Sequence, residues 1–305
     1  MPVADDGRTE VSQSQLERLA FIDFRAYFLG EVRRTDIIEQ FKVKEAAASR
    51  DISKYKERGG RITLDGSTKA YRPDPNFSPL FPHPVERVFS ALCQGFGEGS
   101  NQNFRPLVPC EIPHQLNTPS LEAIAIISRA IHQRRVVYVE YSSFSSGKTE
   151  REIVPHALAN TGARWHVRAF DRRRKRFTDF VLTRIRHPVE IGSSPVHDHE
   201  LSINDHQWNR IVELEIVPHP GSKHQEIIAT DYGMKNRHLY VNVRASLAGY
   251  FLRQWAVDCS PEHSIGPDAA EDGSNDAVRL WLKNYLALYG VETAKLAPGY
   301  KSPAP

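Results

Sequence analysis

Residues 14–30 carry Leu16, Leu19, Ala20, Phe24, Tyr27 and Phe28 at mixed three- and four-residue spacings, which predicts one helix with an apolar face. After Arg33 and Arg34, Thr35 is a suitable N-cap for a short helix through Phe41, with Asp36 and Glu39 placed to suit its N-terminal dipole. Lys42, Val43 and Lys44 make a tight connection to a third helix, 45–57. That helix puts Ala48, Ile52 and Tyr55 on one side and Ala47, Arg50 and Lys54 on another, with Ser49 and Ser53 beside them. Gly59 and Gly60 stop it. Residues 61–72 then predict two short strands around a turn at Asp65-Gly66, so the order is three helices and a hairpin, the layout of a winged helix-turn-helix over 1–75.

From 76 to 119 prolines and glycines are dense, and beyond a short helix at 85–93 the segment reads as a linker. A helix at 121–133 leads into strands at 136–141, 152–159, 165–170 and 177–182, with a fifth beginning near Pro188. Five short strands in so little chain predict a small barrel of the SH3 or Sm type over 120–192. A second linker spans 193–206. Beyond it, across 207–295, come a strand at 211–217, a short helix near Gln225, a strand at 238–244 and helices at 246–257 and 275–288. The last helix would line up Val278, Trp281, Tyr285 and Leu288 for a core or a dimer interface. The fold class expected is α+β.

The 305 residues suffice for two or three small domains. The N-terminal MPVADDGRTE lacks the layout of a secretory signal and no apolar run is long enough to span a bilayer, so the expectation is a soluble, cytoplasmic protein. Cys93, Cys110 and Cys259 are far apart, without a CxxC pair, and are expected as reduced thiols without a metal. The net charge of +3 is unevenly divided: residues 33–72 carry +5 and 131–190 carry +7, leaving −9 for the remainder. Two basic modules point to two sites for anionic partners.

A recognition helix needs small or polar residues that approach base edges and cations for guanine and phosphate. Ser49, Arg50, Ser53 and Lys54 meet that need, with Arg61 and Lys69 on the wing, and double-stranded DNA is the partner expected. In the strand at 165–170, alternation sends Trp165, Val167 and Ala169 to one face, read as core, and Arg164, His166, Arg168 and Phe170 to the other, where the polar residues could line a pocket. Arg172 to Arg176 sits where a hairpin tip belongs. Three other motifs fail for want of context. Ser146-Gly-Lys-Thr149 has Ser142 where a P-loop needs glycine, Gly95-Phe-Gly-Glu-Gly99 lacks the strand and helix of a dinucleotide site, and His197-Asp-His199 lies in a linker.

Taken together, Ala48-Ser-Arg-Asp-Ile-Ser-Lys-Tyr55, Tyr138-Val-Glu-Tyr-Ser-Ser143, Arg151-Glu-Ile-Val-Pro-His156, Arg164-Trp-His-Val-Arg-Ala169, Asp179-Phe-Val-Leu-Thr-Arg-Ile185 and Val212-Glu-Leu-Glu-Ile-Val-Pro-His219 resemble the WYL-domain transcription regulators, and among them the BrxR/CapW-like group that controls bacterial antiphage defence operons. The Trp-Tyr-Leu triplet that names the domain reads Trp165-His166-Val167 here. The resemblance implies a homodimeric repressor without enzymatic activity, metal or cofactor, bound to an inverted-repeat operator and dimerised through its C-terminal region. It also implies that a nucleotide or oligonucleotide effector meets the middle domain, with Tyr141, Ser142, Ser143, His156, His166, Arg168 and Arg184 as its contacts. The alternatives are an activator of the same fold and a nucleic-acid-processing enzyme, the latter lacking a carboxylate cluster for magnesium.

Overall fold

The computed structural model describes residues 12–97, 106–110, 116–266 and 277–302. It divides into two compact units, Met1–His114 and Gln115–Pro305.

The first unit is built on α1 (Gln13–Leu29), α2 (Arg34–Phe41), α3 (Glu45–Glu57), a hairpin of β1 (Ile62–Leu64) and β2 (Tyr71–Pro73), and α4 (Val85–Gln94). Ser12 caps α1 by accepting from the Gln15 N–H, and Gly30 ends it at φ 74°. Its buried face is Leu19, Phe21, Ile22, Phe24 and Ala26, whereas Tyr27, expected inside, is exposed. The cap of α2 is Arg33 rather than Thr35: the Asp36 carboxylate accepts from the Arg33 N–H at 2.7 Å. On α3, Ala48, Ile52 and Tyr55 are buried against α1 as the spacing predicts. The C-terminal end of α3 requires its glycines, since Gly59 sits at φ 97° and a Cβ on Gly60 would lie 2.1 Å from the Tyr55 ring.

Two buried carboxylates fix the helices to one another. Asp51 on α3 accepts from Arg18 at 2.6 Å and Gln15 at 2.9 Å on α1. Asp23 on α1 accepts from the Tyr55 hydroxyl at 2.5 Å, His83 Nε2 at 2.8 Å and the N–H groups of Leu80 and Phe81. The segment at 80–83, read from sequence as linker, is therefore part of this core. So is Phe96, whose ring packs on Phe21 and Phe24. Cys93 and Cys110 form a disulfide across a Cα separation of 5.3 Å, a correction to the expectation of reduced thiols, because a backbone bond from Leu107 N–H to Leu92 C=O folds the chain back on the end of α4. Cys259 is free and buried.

In the second unit α5 (Leu121–Gln133) covers a five-stranded antiparallel sheet of β3 (Val137–Ser143), β4 (Gly147–Asn160), β5 (Trp165–Asp171), β6 (Arg176–Val181) and β7 (Ile185–Ile191), in the order β6-β5-β4-β3-β7. All five strands were predicted, but the barrel was not found: β6 and β7 are the two ends of the order, joined by a 3-10 turn at Leu182–Arg184, and no pairing among the described residues closes the sheet. Ile127 and Ala130 of α5 meet Val137, Val139, Ile153, Val167, Ala169 and Phe180 in its core. Trp165, expected in that core, is 39% exposed at the start of β5.

Next come α6 (His206–Asn209), β8 (Ile211–Pro218), α7 (Gln225–Asp231), β9 (Leu239–Arg244), α8 (Ala245–Gln254), β10 (Val257–Asp258) and β11 (Leu280–Leu282). The strands order as β10-β11-β8-β9, and Val212, Leu214 and Ile216 of β8 alternate into a core with Ala248 and Leu252 of α8. The helix expected at 275–288 is not formed; its first two residues lie outside the described residues. Leu280 and Leu282 enter the core two residues apart, as a strand does, and Tyr285–Leu288 is a 3-10 turn. The Asn284 side chain separates them, accepting from the Glu215 N–H at 2.9 Å and donating to the Glu213 carbonyl at 3.0 Å. No helix among the described residues is long and apolar enough to cross a membrane.

Candidate functional site

The side of α3 opposite Ala48, Ile52 and Tyr55 carries the residues expected to meet DNA. Arg50 and Ser53 are exposed, Ser49 and Lys54 half-buried. Arg50 has no carboxylate partner among the described residues. The Ser53 hydroxyl donates to the Ser49 carbonyl at 3.2 Å, a bond that competes with any contact to a base. Lys54 pairs with Glu57 at 3.1 Å on the surface, which is worth little and is readily exchanged for a phosphate. Arg61 is exposed just before β1, at the base of the hairpin, and Lys69 is exposed in the loop between β1 and β2, at φ 57°. Asp65 sets that loop by accepting from Ser67 and Thr68, bonds that hold its carboxyl well below the usual range. Lys42, Lys44 and Arg58 are exposed at the two ends of α3 and were not singled out from sequence; clustering of charge at the ends of that helix was the available signal.

The residues expected to hold an effector separate into two groups. Tyr141 is buried, its Oη accepting from the Val181 N–H at 3.2 Å and its ring edge-on to Phe180. Ser142 and Ser143 follow it, half-buried, at the end of β3. Arg184, half-buried, stacks over the exposed Phe144 ring at 4.2 Å, leaving its donors free of carboxylates among the described residues.

The second group is a closed junction where an open pocket was expected. His166 is 5% exposed and packs on Tyr250 of α8 at 5.1 Å between ring centroids. Burial lowers its pKa to about 4, so the imidazole is neutral. Arg168 is 2% exposed, donating to Asp205 from Nε at 2.8 Å and Nη2 at 3.0 Å and to Asp179 on β6 at 3.3 Å. A bulge in β4 between Pro155 and Ala157 turns out His156, whose Nε2 donates to the same Asp205 at 3.1 Å. Asp205 also caps α6 through the Trp208 N–H. Burial alone would raise the Asp205 pKa, but the bonds from His156 and Arg168 outweigh it and hold the carboxyl below its ordinary range. Burial dominates at Asp179 and pushes its carboxyl up against the pull of Arg168.

The apparent linker 193–206 is thus structural. Arg172, at the hairpin tip, donates to Glu200 at 2.6 and 2.7 Å, to Glu152 at 3.2 Å and to Ser194 at 2.9 Å, so one of the five tip cations is committed while the other four are exposed. A cavity of about 410 Å³ lies beside this segment, lined by Ile131, Arg134, Val154, His156, Leu201 and Ile203 among others. No group of His, Cys, Asp and Glu among the described residues could hold a metal ion.

Three stretches of the chain match known family models. Residues 14–94 match the BrxR transcriptional regulator winged helix-turn-helix domain, 122–190 the WYL domain, and 211–288 the BrxR transcriptional regulator C-terminal dimerization domain. The chain is 30% identical over 288 residues to the DNA-binding transcriptional repressor CapW of Pseudomonas aeruginosa, covering 91% of this chain and 92% of that one. It is 28% identical over 295 residues to CapW of Escherichia coli (strain KTE188), covering 93% and 94%, and 28% identical over 293 residues to CapW of Stenotrophomonas maltophilia, covering 91% and 95%. A winged helix, a WYL domain and a dimerization domain in one order, with near-complete coverage of these relatives, place the chain in the BrxR/CapW family of WYL-domain transcriptional repressors.

Proposed function

We propose that the chain is a homodimeric repressor of an antiphage defence operon, binding an inverted-repeat operator with one α3 in each of two successive major grooves. Arg50 carries the reading: an exposed guanidinium without a carboxylate partner, on a helix whose opposite side is locked by Tyr55 and Asp51, can present its fork to guanine without rearrangement. Ser49, Ser53 and Lys54 flank it on α3, and Arg61 and Lys69 reach backbone or minor groove from the wing. Purified protein is used to select duplexes from a random-sequence pool, and the selected duplex is then bound by wild type and Arg50→Ala. Selection of an inverted repeat, retarded uncut in the presence of magnesium and lost with Arg50→Ala, is the expected result. Cleavage of the duplex would favour an enzyme instead.

The effector reading belongs with the second unit. An anionic nucleotide or oligonucleotide meets the WYL face, where Arg184, Ser142 and Ser143 are accessible, His156 borders the cavity beside 193–206, and Arg168 and His166 are reached only by opening the junction. The Asp205 carboxylate holds Arg168 through the forked geometry that a phosphate would use, so a phosphate there competes with Asp205 and releases α6. Tyr141 and His166 bring rings against which a base can lie. By linkage, an effector that weakens operator binding is itself bound less tightly when the operator is present.

A further inference from the structure

We propose that Cys93 and Cys110 are a reversible thiol–disulfide site, and that reducing it weakens the hold of the repressor on its operator. The inference rests on the DNA-binding reading for its consequence but not for its chemistry. The disulfide joins the last turn of α4 to a segment 17 residues further on, and both cysteines are half-buried, within reach of a small thiol. Chromosomal DNA lies in the reducing compartment of a bacterium, where a protein disulfide is characteristically transient and redox-sensing.

The site is attached to the DNA-binding scaffold at one end. Three residues beyond Cys93, the Phe96 ring packs on Phe21 and Phe24 of α1, and its carbonyl accepts from Gln40 of α2 at 2.6 Å. At the other end Cys110 precedes the connection to α5, which begins at Leu121. Opening the bond leaves residues 106–110 tied to the end of α4 by the Leu107 N–H to Leu92 C=O bond and removes the covalent brace beside the turn that carries Phe96. Loosening the Phe96 contacts with α1 and α2 disturbs the scaffold that presents α3, so opening the bond lowers operator affinity several-fold. The remaining thiol does not interfere: Cys259 is fully buried in the C-terminal core, and burial pushes its pKa up.

The exchange is a two-electron step. One thiolate of a dithiol reductant attacks a sulfur of the disulfide and expels the other cysteine as a thiolate. The second thiol of the reductant then displaces the first cysteine, so that two electrons and two protons end on Cys93 and Cys110 and the reductant leaves as its own disulfide. Oxidised glutathione drives the reverse, releasing two molecules of glutathione.

The test equilibrates the full chain in glutathione buffers of graded ratio and traps free thiols with N-ethylmaleimide for peptide mass analysis. In parallel, affinity for the duplex selected from the random pool is measured at fixed salt. The expected result is one transition involving Cys93 and Cys110 together, with Cys259 unlabelled until the protein unfolds, and an affinity that drops several-fold over the same ratios. Cys93→Ser with Cys110→Ser should hold the affinity of the reduced wild type at every ratio; dithiothreitol on wild type supplies the same state without substitution if the double variant folds poorly. Failure of the two cysteines to pair at any ratio overturns the site. A disulfide that titrates while affinity stays flat, or a redox response that survives in the double variant, overturns its role. Absence of duplex binding at every ratio would count against the DNA-binding reading and leave the thiol result standing.

Discussion

Arg168 gives two of its donors to a single carboxylate, that of Asp205, which lies 37 residues further along the chain and at the same time caps the short helix leading into the C-terminal sheet. The pair therefore clamps the WYL sheet to α6. Removing one member of a buried pair leaves the other charged and unsatisfied, at a cost of about 3–5 kcal/mol. Asp205→Ala should lower the unfolding free energy of the second unit by that order, while replacing the pair with Arg168→Met and Asp205→Leu should recover much of the loss. Denaturant titration of the single and double variants checks this, and additive losses would show that the two side chains are not coupled.

On the DNA side, Arg50→Ala and Lys54→Ala should each weaken binding to the selected duplex, by roughly 1–3 kcal/mol where the side chain contacts a base. Arg61→Ala and Lys69→Ala should instead weaken all sequences alike and lower the salt dependence by about one counterion each. Titrations at several salt concentrations, against selected and scrambled duplexes, separate the two classes. Equal losses on both duplexes for Arg50→Ala would move base recognition elsewhere.

The pH dependence of the second unit should carry the mark of His166. Its folded pKa of about 4 lies below the ordinary 6.5, so between these values the unfolded chain binds a proton that the folded one does not. Stability is then fully present above pH 6.5 and declines as pH falls toward 4, by about 3 kcal/mol at most. The carboxyl of Asp205, held low, adds a loss in more acid solution, below its unfolded pKa. His166→Gln should flatten the profile between pH 4 and 6.5 and leave the more acid decline in place, as followed by denaturation at fixed pH steps.

Dimerisation is best tested by a cut that spares the clamp. Ending the chain after Arg210 keeps Asp205 and its bonds to Arg168 and His156 but removes the sheet built on β8, within the segment matching a dimerization domain. The shortened protein should be monomeric and should bind the selected duplex far more weakly, since two half-site contacts are no longer joined. Light scattering that still reports a dimer would place the interface in the first 210 residues.

How much of this was legible in the sequence depended on whether a pattern had one physical meaning. The spacing of Ala48, Ile52 and Tyr55 fits a helix and little else, and the exposed side with Arg50 follows from it. Alternation along β5 correctly separated Val167 and Ala169 from His166 and Arg168, but it reports only that the second set faces the other way. Whether that side meets water was decided by Asp205 and Tyr250, distant residues whose approach no local pattern encodes. The spacing of Val278, Trp281, Tyr285 and Leu288 satisfied a helical period by coincidence, while the burial of Leu280 and Leu282 obeyed a period of two. Cysteine spacing likewise carried no sign of the bond, because pairing followed from the fold-back of the chain on α4. Phe96 and His83 were hidden in the same way, each lying in a stretch whose prolines and glycines resemble a connector although its aromatic rings complete the core of the first unit.

From His166 to Asp171 every residue of β5 is buried, on both faces of the strand. Ordinary sheet strands alternate between sites that tolerate almost any polar residue and sites that tolerate almost none. A strand lacking a solvent side has no permissive register. In a saturation library scored for repression, this hexapeptide should stand out as an unbroken block of intolerance, with the permissive every-other-residue signature returning only on strands such as β8, whose outer positions remain open.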